Sequence, residues 1–282
     1  MYSLKGKTLF ITGAAGGIGA AVAREAYGRG ANLILTDITQ ESVDTLANEF
    51  DASRVLPLAL DVTDFEATQG VISKGVETFG HVDICFANAG ISWRGDPATV
   101  FSCDPDEFRR IVDVDLFGVF YSVKACLPEI VRNSGFIMVT SSVYAFTNGM
   151  ANAPYATSKA AVEQMTRSLR CELAGTGATA GVLYPGWVST PIAKVAFGGH
   201  ALATQMINTA FPAFMRQPIS PEALAAKAVK GMEKRAFATL APGFWSLFSW
   251  FRGPYAKLSD LVLGSNKKLH RLTRELEALN RK

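Results

Sequence analysis

The sequence has few of the residues that build disulfide frameworks or metal sites. Its 282 residues include four cysteines, and none of them stands in a C-x-x-C spacing. Its three histidines are scattered and match no metal-ligand pattern. These features predict reduced thiols, no bound metal and a cytoplasmic protein. The cysteines are Cys85, Cys103, Cys126 and Cys171.

Long apolar runs and a strong net charge are also missing. No uninterrupted apolar run reaches membrane-spanning length, and a strand is expected too close to the N-terminus to leave room for a signal peptide. The formal net charge of +3 gives no general case for nucleic acid as a partner. The charge is unevenly spread, since eight Lys or Arg and only three Asp or Glu lie between Arg252 and Lys282.

The chain does contain a regular alternation of short β-rich runs with helical patterns. The predicted strands are 7–11, 32–36, 55–60, 82–87, 136–140 and 237–240, and the predicted helices include 65–79, 106–131, 155–174 and 221–235. This alternation predicts an α/β fold with parallel strands. With no repeat and no low-complexity linker, we expect one domain over residues 1–243 and an extension over 244–282.

A glycine-rich loop follows the first predicted strand and precedes an alanine-rich helix. Glycines let a backbone approach a pyrophosphate closely, and a helix N-terminus presents free N–H groups to it. Asp37 ends the next strand at about the spacing expected for a carboxylate that bonds the adenosine ribose. A simple turn would also use glycines, but the order strand, loop, helix, strand favours a dinucleotide site. The loop residues of interest are Gly13, Ala15, Gly17, Ile18 and Gly19.

The densest polar chemistry follows strand 136–140. Ser142 stands at the carboxyl end of that strand, where open α/β sheets place ligands. A helical pattern from Pro154 onward puts Tyr155 and Lys159 four residues apart on one face. Because a nearby ammonium favours the phenolate, we expect Lys159 to lower the pKa of Tyr155 toward the range of a general acid/base. Alone, the pair is weak evidence, since an ordinary helix can carry the same spacing by chance.

Taken together, these motifs resemble those of the short-chain dehydrogenase/reductase family, in its single-domain branch. The loop from Thr12 to Gly19 is similar to the family's cofactor loop, and Ser142, Tyr155 and Lys159 are similar to its catalytic residues at the usual spacings. Three further matches are Asp61-Val62, where the family's acid meets the adenine edge, Asn88-Ala89-Gly90 after strand four, and residues 185–190, where the family closes over the nicotinamide.

The resemblance covers about residues 5–243 and implies a Rossmann-type doubly wound parallel sheet of about seven strands, with helices on both faces and a helical C-terminal extension. It implies that Ser142 bonds the substrate oxygen, Tyr155 exchanges its proton and Lys159 binds the nicotinamide ribose. The implied cofactor-binding residues are Gly13, Ala15, Gly17, Ile18, Gly19, Asp37, Asp61, Val62, Asn88, Ala89, Gly90, Tyr155, Lys159, Pro185, Gly186, Val188 and Thr190.

We expect NAD rather than NADP as the cofactor. Asp37 would repel a 2′-phosphate, and Ala14, Ala15 and Ile38 supply no cation to receive one.

One residue departs from the family pattern. The family usually has Asn in the helix before the x-x-Gly turn, where it helps to hold a water on a proton path to the lysine, and this chain has Asp115. An acid there would raise the pKa of Lys159 and change the proton relay, which makes Asp115 a candidate catalytic residue. The alternative is that its backbone carbonyl does the holding and the side chain matters little.

The substrate region, about residues 190–217, is strongly apolar. Its apolar residues include Ile192, Val195, Phe197, Leu202, Met206, Ile207, Phe211, Phe214 and Met215. Such a lining suits a lipophilic secondary alcohol or ketone of steroid, retinoid or fatty type, although the same residues could pack a lid or a subunit contact. The family also contains dinucleotide-binding proteins that act as redox sensors without turnover, and intact Ser142, Tyr155 and Lys159 favour an enzyme.

The extension after Gly243 combines aromatic, leucine and basic residues. Aromatics crowd residues 244–251, and Leu269, Leu272, Leu276 and Leu279 repeat at helical spacing among Lys and Arg. This composition suits peripheral contact with an anionic membrane. The alternative is that the aromatics cover the substrate pocket while the leucines pack on a neighbouring subunit. By resemblance, we expect a homodimer or homotetramer formed through helices 106–131 and 155–174.

Overall fold

The fold is built on one seven-stranded parallel sheet. The computed structural model describes residues 2–190 and 200–280. The strands are β1 (Thr8–Thr12), β2 (Asn32–Asp37), β3 (Val55–Ala59), β4 (Ile84–Ala87), β5 (Phe136–Thr140), β6 (Thr179–Pro185) and β7 (Ala238–Ala241). Their order is β3-β2-β1-β4-β5-β6-β7, and every neighbouring pair is parallel. The doubly wound α/β prediction is confirmed. Strands β1 to β3 are added toward one edge of the sheet and strands β4 to β7 toward the other, so the order of addition reverses between β1 and β4.

Helices cover both faces of this sheet. The helices are α1 (Gly17–Gly28), α2 (Gln40–Ala47), α3 (Phe65–Phe79), α4 (Pro105–Val112), α5 (Val119–Arg132), α6 (Ala153–Glu172), α7 (Ala201–Ala210), α8 (Pro221–Lys234), α9 (Trp245–Trp250), α10 (Arg252–Ser265) and α11 (Lys267–Leu279). Side chains of α1 and α8 fill the core on one face, and side chains of α3, α5 and α6 fill the core on the other. The fully buried β1 and β5 read as continuous apolar runs because both of their faces are covered.

The helix predicted over 106–131 is interrupted. Helix α4 begins at Pro105 after its Asp104 cap, as the capping pattern predicts, but Asp113–Gly118 form a π-helical turn before α5. In a π turn the backbone hydrogen bonds span five residues instead of four, which changes the directions in which the side chains point. Here the turn carries the carboxylate of Asp115, which is wholly buried and accepts a hydrogen bond from the Ile91 N–H at 2.7 Å.

The leucine stripe of α11 packs within the same chain. Leu269, Leu272 and Leu276 are buried against Met206 and its neighbours on α7. The prediction that these leucines pack on a neighbouring subunit is therefore wrong for these three, because α7 already covers them. Only Leu279 of the stripe is exposed. Helix α11 thus packs on a helix that lies within the predicted substrate region, residues 190–217.

Part of that loop lies outside the described residues. Residues 191–199, with Ile192, Val195 and Phe197, fall there, as do Arg281 and Lys282. Among the described residues, none of the helices combines the length and the apolar character needed to cross a membrane.

Candidate active site

A large cavity opens at the carboxyl ends of the central strands. Its volume is about 1330 Å³. It is lined by the glycine loop after β1, by residues that follow β2 to β6, and by the start of α6. Of the predicted site residues, all but Gly19 and Asp115 line it. Chain segments far apart in sequence therefore meet at one place.

The glycine loop is shaped by two close backbone contacts. Gly13 has φ +64°, and a Cβ there would lie 2.9 Å from the Ala89 Cα. A Cβ on Gly19 would lie 2.1 Å from the Gly13 carbonyl oxygen. Gly19 therefore lets helix α1 start close to the loop backbone. A larger residue at this position would clash with the loop, even though Gly19 does not line the cavity. Its role is packing.

The N-terminus of α1 faces the cavity with its N–H groups available. Gly16 is the N-cap residue and has no side chain to bond the first turn, while Gly17 and Ile18 line the cavity. Unsatisfied N–H groups at a helix start, with the positive end of the helix dipole, favour an anion such as a pyrophosphate.

Asp37 closes the loop from the end of β2. Its Oδ2 accepts a hydrogen bond from the Ala15 N–H at 2.9 Å, and its Oδ1 accepts one from the Ile38 N–H at 2.8 Å. The glycine loop and the ends of β2 and β3 contribute no Lys or Arg to the cavity lining. At the end of β3, the neighbouring carboxylate of Asp61 is held by the amide and the hydroxyl of Thr63.

The Asn88-Ala89-Gly90 turn connects the glycine loop to β5. Thr12 Oγ1 accepts hydrogen bonds from the N–H groups of Asn88 and Ala89, both at 3.0 Å. The Asn88 side chain donates to the Thr12 and Gly13 carbonyls and accepts from the Thr140 hydroxyl. This bonding fixes the spacing between the phosphate-binding end of the cavity and the end that carries Ser142.

Ser142, Tyr155 and Lys159 come together at the other end of the cavity. Ser142 follows β5, and its Oγ accepts a hydrogen bond from the Tyr144 N–H at 3.2 Å. Tyr155 and Lys159 stand one turn apart on α6, with the ammonium 5.3 Å from the centre of the phenol ring. Lys159 also donates to the Thr140 carbonyl at 3.3 Å. The structure therefore brings these three side chains together, as the sequence predicted.

Lys159 is buried beside a carboxylate. Its Nζ lies 3.3 Å from Asp115 Oδ2, and neither side chain has more than a few per cent of its surface exposed. The pair fits because Gly90 has no side chain: a Cβ there would come within 3.2 Å of both charged atoms. Burial lowers the pKa of Lys159, but the negative charges of Asp115 and of ionised Tyr155 raise it by more, so the net direction is upward. Burial raises the pKa of Asp115, although Lys159 opposes that effect.

The prediction for Tyr155 needs correction. Burial raises the pKa of its phenol; Lys159 lowers it, Asp115 raises it, and contact with Ser142 lowers it, and the net direction is upward. The predicted lowering of the Tyr155 pKa considered only the attraction to Lys159. Desolvation and the Asp115 charge beside the lysine both raise that pKa.

Several cavity residues were not predicted. Ser141 is fully buried, and its hydroxyl donates to the Lys159 carbonyl at 2.7 Å, which fixes α6 against β5. Asn152 lines the cavity, and its buried Oδ1 has no hydrogen-bond partner within the described ranges. Arg94 and Arg109 line the cavity from the loop after β4 and from α4. Only Ser141 carried a signal in the sequence, as the neighbour of Ser142.

Aromatic rings form one wall of the cavity. Tyr144 and Trp187 line it, with ring centroids 6.1 Å apart. Phe211 packs behind them, 5.1 Å from Trp187, and Trp245 of α9 stacks on Trp187 at 5.9 Å. The C-terminal extension therefore supports this wall from outside, as the pocket-covering interpretation of its aromatics predicts for Trp245.

The residues present fit a nicotinamide dinucleotide. The glycine loop and α1 would hold its pyrophosphate, Asp37 its adenosine ribose, Asp61 and Val62 its adenine, and Lys159 its second ribose. Within residues 2–190 and 200–280, no group of three or more His, Cys, Asp or Glu side chains could hold a metal ion.

Comparison with known proteins places this arrangement in a family. The family described as short chain dehydrogenase matches residues 7–199. Oxidoreductase UcpA of Salmonella typhimurium is 39% identical over 201 residues, which are 69% of this chain and 74% of UcpA. Trans-4-hydroxycyclohexanecarboxylate dehydrogenase of Sinomonas cyclohexanicum is 32% identical over 194 residues, covering 66% of this chain and 74% of that enzyme.

A solved structure agrees with the fold over almost the whole chain. The short chain dehydrogenase/reductase from Burkholderia phymatum, solved in complex with NAD, superposes with a TM-score of 0.76 at 24% identity and covers 94% of this chain and 98% of that one. The family match spans more than half of the chain and coincides with the glycine loop and the Ser142, Tyr155 and Lys159 cluster. The chain belongs to the short-chain dehydrogenase family of oxidoreductases.

Proposed function

We propose that the protein is an NAD-dependent oxidoreductase that interconverts a lipophilic secondary alcohol and its ketone. The observation that carries this proposal is that one cavity is lined by the glycine loop and Asp37 and also by Ser142, Tyr155 and Lys159. An NAD(P) cofactor is general to the family, and the preference for NAD is a proposal about this chain.

The proposed chemistry assigns one task to each side chain. Bound nicotinamide supplies or accepts the hydride. Ser142 holds the substrate oxygen by donating its hydroxyl proton, while its Oγ accepts a hydrogen bond from the Tyr144 N–H. The Tyr155 phenol gives a proton to that oxygen in reduction and takes one in oxidation. Lys159 supports the charge that develops on the phenol and bonds the nicotinamide ribose.

Asp115 is proposed to position Lys159 and tune its charge. It does not line the cavity and acts on the reaction only through the lysine. Its carboxylate is tied to Ile91 on one oxygen and faces Lys159 with the other, which has no hydrogen bond within the described ranges other than this ion pair. The negative charge favours the ammonium of Lys159 and disfavours the phenolate of Tyr155. Alcohol oxidation, which needs the phenolate, should therefore be favoured at alkaline pH.

The cavity wall supports the proposed substrate class. Tyr144 and Trp187 offer flat apolar surface next to Tyr155, and Tyr144 meets the Tyr155 ring edge-on at 6.1 Å. Apolar walls with a few convergent polar groups suit a ring-containing or fatty alcohol. We propose a steroid-, retinoid- or fatty-type substrate, with Asn152 available for a second polar group on it.

The preference for NAD rests on Asp37. A 2′-phosphate at that position would meet a carboxylate already committed to Ala15 and Ile38, with no cation from the adjoining segments. Replacing Asp37→Ala together with Ile38→Arg should move the binding preference from NAD toward NADP, as measured by titrating each cofactor. Tighter binding of NADP than NAD by the unchanged protein would overturn the assignment.

A panel of hydrophobic alcohols and ketones, followed at the NADH absorbance band, tests the activity. On a substrate found in this way, Tyr155→Phe should lower kcat at least about 100-fold, because it removes the transferable proton and keeps the ring. Tyr121→Phe is the matched control, since Tyr121 also lines the cavity but stands on α5. Near-normal turnover by Tyr155→Phe would refute the mechanism. Cofactor binding without turnover on the whole panel would favour the dinucleotide-sensing alternative.

The assembly and location are also proposals. Helix α5 exposes Phe120 and Val131, and these apolar side chains support a homodimer or homotetramer formed through α5 and α6. Light scattering that gives a monomer at micromolar concentration would remove this proposal. The cytoplasmic location stays a prediction from the sequence.

A further inference from the structure

Helices α9 and α10 present an apolar surface to solvent. It consists of large hydrophobic side chains that are each more than half exposed: Leu247, Trp250, Phe251, Leu258, Leu261 and Val262. Trp250 is 86% exposed. We call this surface the α9–α10 face. So exposed a tryptophan, on neighbouring helices that expose five other large apolar residues, is unusual for a surface that meets only water.

Helix α10 turns its apolar side outward. At 3.6 residues per turn, Leu258, Leu261 and Val262 share one side of the helix, and all three are exposed. No residue of α10 is buried. An ordinary surface helix of a water-soluble protein has the opposite arrangement, with its apolar side toward the core.

Polar and aromatic contacts on the inner side of α10 fix this orientation. Arg252 Nη1 lies 2.6 Å from Glu163 Oε1 of helix α6. Asp260 accepts a hydrogen bond from the Asn148 side chain at 3.1 Å, and the Tyr255 ring packs on Phe248 at 5.0 Å. Rotating α10 to bury its leucines would break the Glu163 ion pair and leave a buried carboxylate without its cation. The outward apolar side is therefore held in place.

Basic side chains without a carboxylate partner in the described part of the chain lie on α10 and directly after it in the sequence. Lys257 on α10 and Lys267 and Lys268 at the start of α11 have no carboxylate within ion-pair distance in the described part of the chain, although other cations of the extension do. Exposed apolar and aromatic side chains beside unpaired lysines are complementary to a surface that is apolar inside and negatively charged at its rim.

We propose that the α9–α10 face docks the protein on an anionic phospholipid bilayer, with α10 in the plane of the headgroups. Trp250 and the leucines would enter the boundary with the acyl chains, and the three lysines would meet lipid phosphates and carboxylates. A second copy of the chain fits less well. A two-fold contact through the same face would set each copy's lysines near those of its partner.

This proposal keeps the exposed aromatics of residues 244–251 from the membrane prediction made from the sequence, but it uses residues of α10 in place of the leucine stripe. The leucine stripe of α11 is buried on α7 and is unavailable to lipid. The docking residues stand on α9 and α10 instead. The proposal does not depend on the activity proposed above, because the same face would bind lipid whatever the cavity accepts.

Co-sedimentation of the full chain with vesicles tests the proposal. The probes are phosphatidylcholine vesicles with and without phosphatidylserine, at low and at high salt. We expect binding to the phosphatidylserine vesicles that weakens as salt rises. Trp250→Ser with Leu261→Ser should lower the partition coefficient at least about tenfold, since it removes the most exposed apolar surface. Lys257→Gln with Lys267→Gln and Lys268→Gln should lower binding to the anionic vesicles alone.

Val100→Ser is the matched control. Val100 is 76% exposed and lies outside the α9–α10 face, so its replacement should leave vesicle binding unchanged. All the replaced side chains are exposed, and unchanged thermal unfolding will verify that each variant is folded. Equal vesicle binding by the Trp250 and Leu261 variant, or no preference of the unchanged protein for phosphatidylserine vesicles, would overturn the proposal. So would light scattering that shows an oligomer lost in that variant, because the face would then be a subunit contact.

Discussion

Helix α6 carries two buried ion pairs one turn apart, and water reaches them to different extents. Lys159 faces Asp115 at 3.3 Å, and no more than 3% of either side chain is exposed; we call this the sealed pair. Glu163 faces Arg252 at 2.6 Å, with the carboxylate buried but the guanidinium side chain 36% exposed. The shorter ion pair is thus the one whose cation is partly exposed to water. The sealed pair has no such help, so each of its charges depends on the other.

The two pairs also connect α6 to different parts of the molecule. The sealed pair joins it to the π turn before α5, beside the proposed proton-exchanging phenol. The pair of Glu163 and Arg252, which we call the open pair, joins α6 to the C-terminal extension. Arg252 also lies over the Phe146 ring at 5.3 Å. One helix therefore supports the chemistry with a cation and fastens the extension with an anion. The comparison predicts unequal costs for breaking the pairs.

The largest effect is expected from Asp115→Ala. It leaves the buried ammonium of Lys159 without its carboxylate and the Ile91 N–H without its acceptor, and should lower the free energy of unfolding by about 3–5 kcal/mol. Asp115→Asn is the matched control, because it keeps an oxygen for the Ile91 N–H and should cost less. Urea denaturation of the full chain measures both. A cost below about 1 kcal/mol for Asp115→Ala would mean that water reaches Lys159.

A smaller effect is expected from Arg252→Met. The methionine keeps apolar contact with Phe146 but leaves Glu163 unpaired, and we expect a loss of about 1–2 kcal/mol, since water already reaches the guanidinium. Adding Glu163→Gln should recover part of that loss. A double-mutant cycle gives the coupling energy directly. If Arg252→Met costs as much as Asp115→Ala, the proposed difference between the two pairs does not exist.

The smallest effect on rate is expected from Asp115→Asn under varied pH. Removing the carboxylate takes away one cause that raises the pKa of Tyr155, so the phenolate should form at lower pH. The rise of alcohol oxidation with pH should therefore move toward acid, while the maximum rate changes by less than about tenfold. Superimposable pH profiles for the two proteins would leave Asp115 a purely structural role.

The sequence predicted the sheet well, and it also indicated that the glycine loop and Asp37 lie together, because both features depend on local patterns. Strand bounds agree within about two residues, and helix α3 has the predicted bounds. The glycine loop and Asp37 are read from spacing along one short stretch of chain. What they require is backbone geometry, and glycine and strand patterns report backbone geometry directly.

The parts that were mispredicted depend on partners distant in sequence. The stripe of Leu269, Leu272 and Leu276 defines an apolar side of α11, but periodicity cannot identify α7 as its partner. The pKa direction of Tyr155 depends on burial, which no spacing reveals. The π turn at Asp115 sits inside an ordinary helical pattern, and what accompanies it is a buried contact with Ile91.

The packing of α11 on α7 bears on how such proteins diverge. The family match ends at residue 199, and both helices lie after it. Replacing a side chain on α7 requires a matching change on α11, more than fifty positions later, so the two segments must be inherited or exchanged together. Transplanting the α7 region alone from a relative would leave Leu269, Leu272 and Leu276 against an unmatched surface. A chimaera meant to carry a new substrate preference should take residues 200–280 as one block.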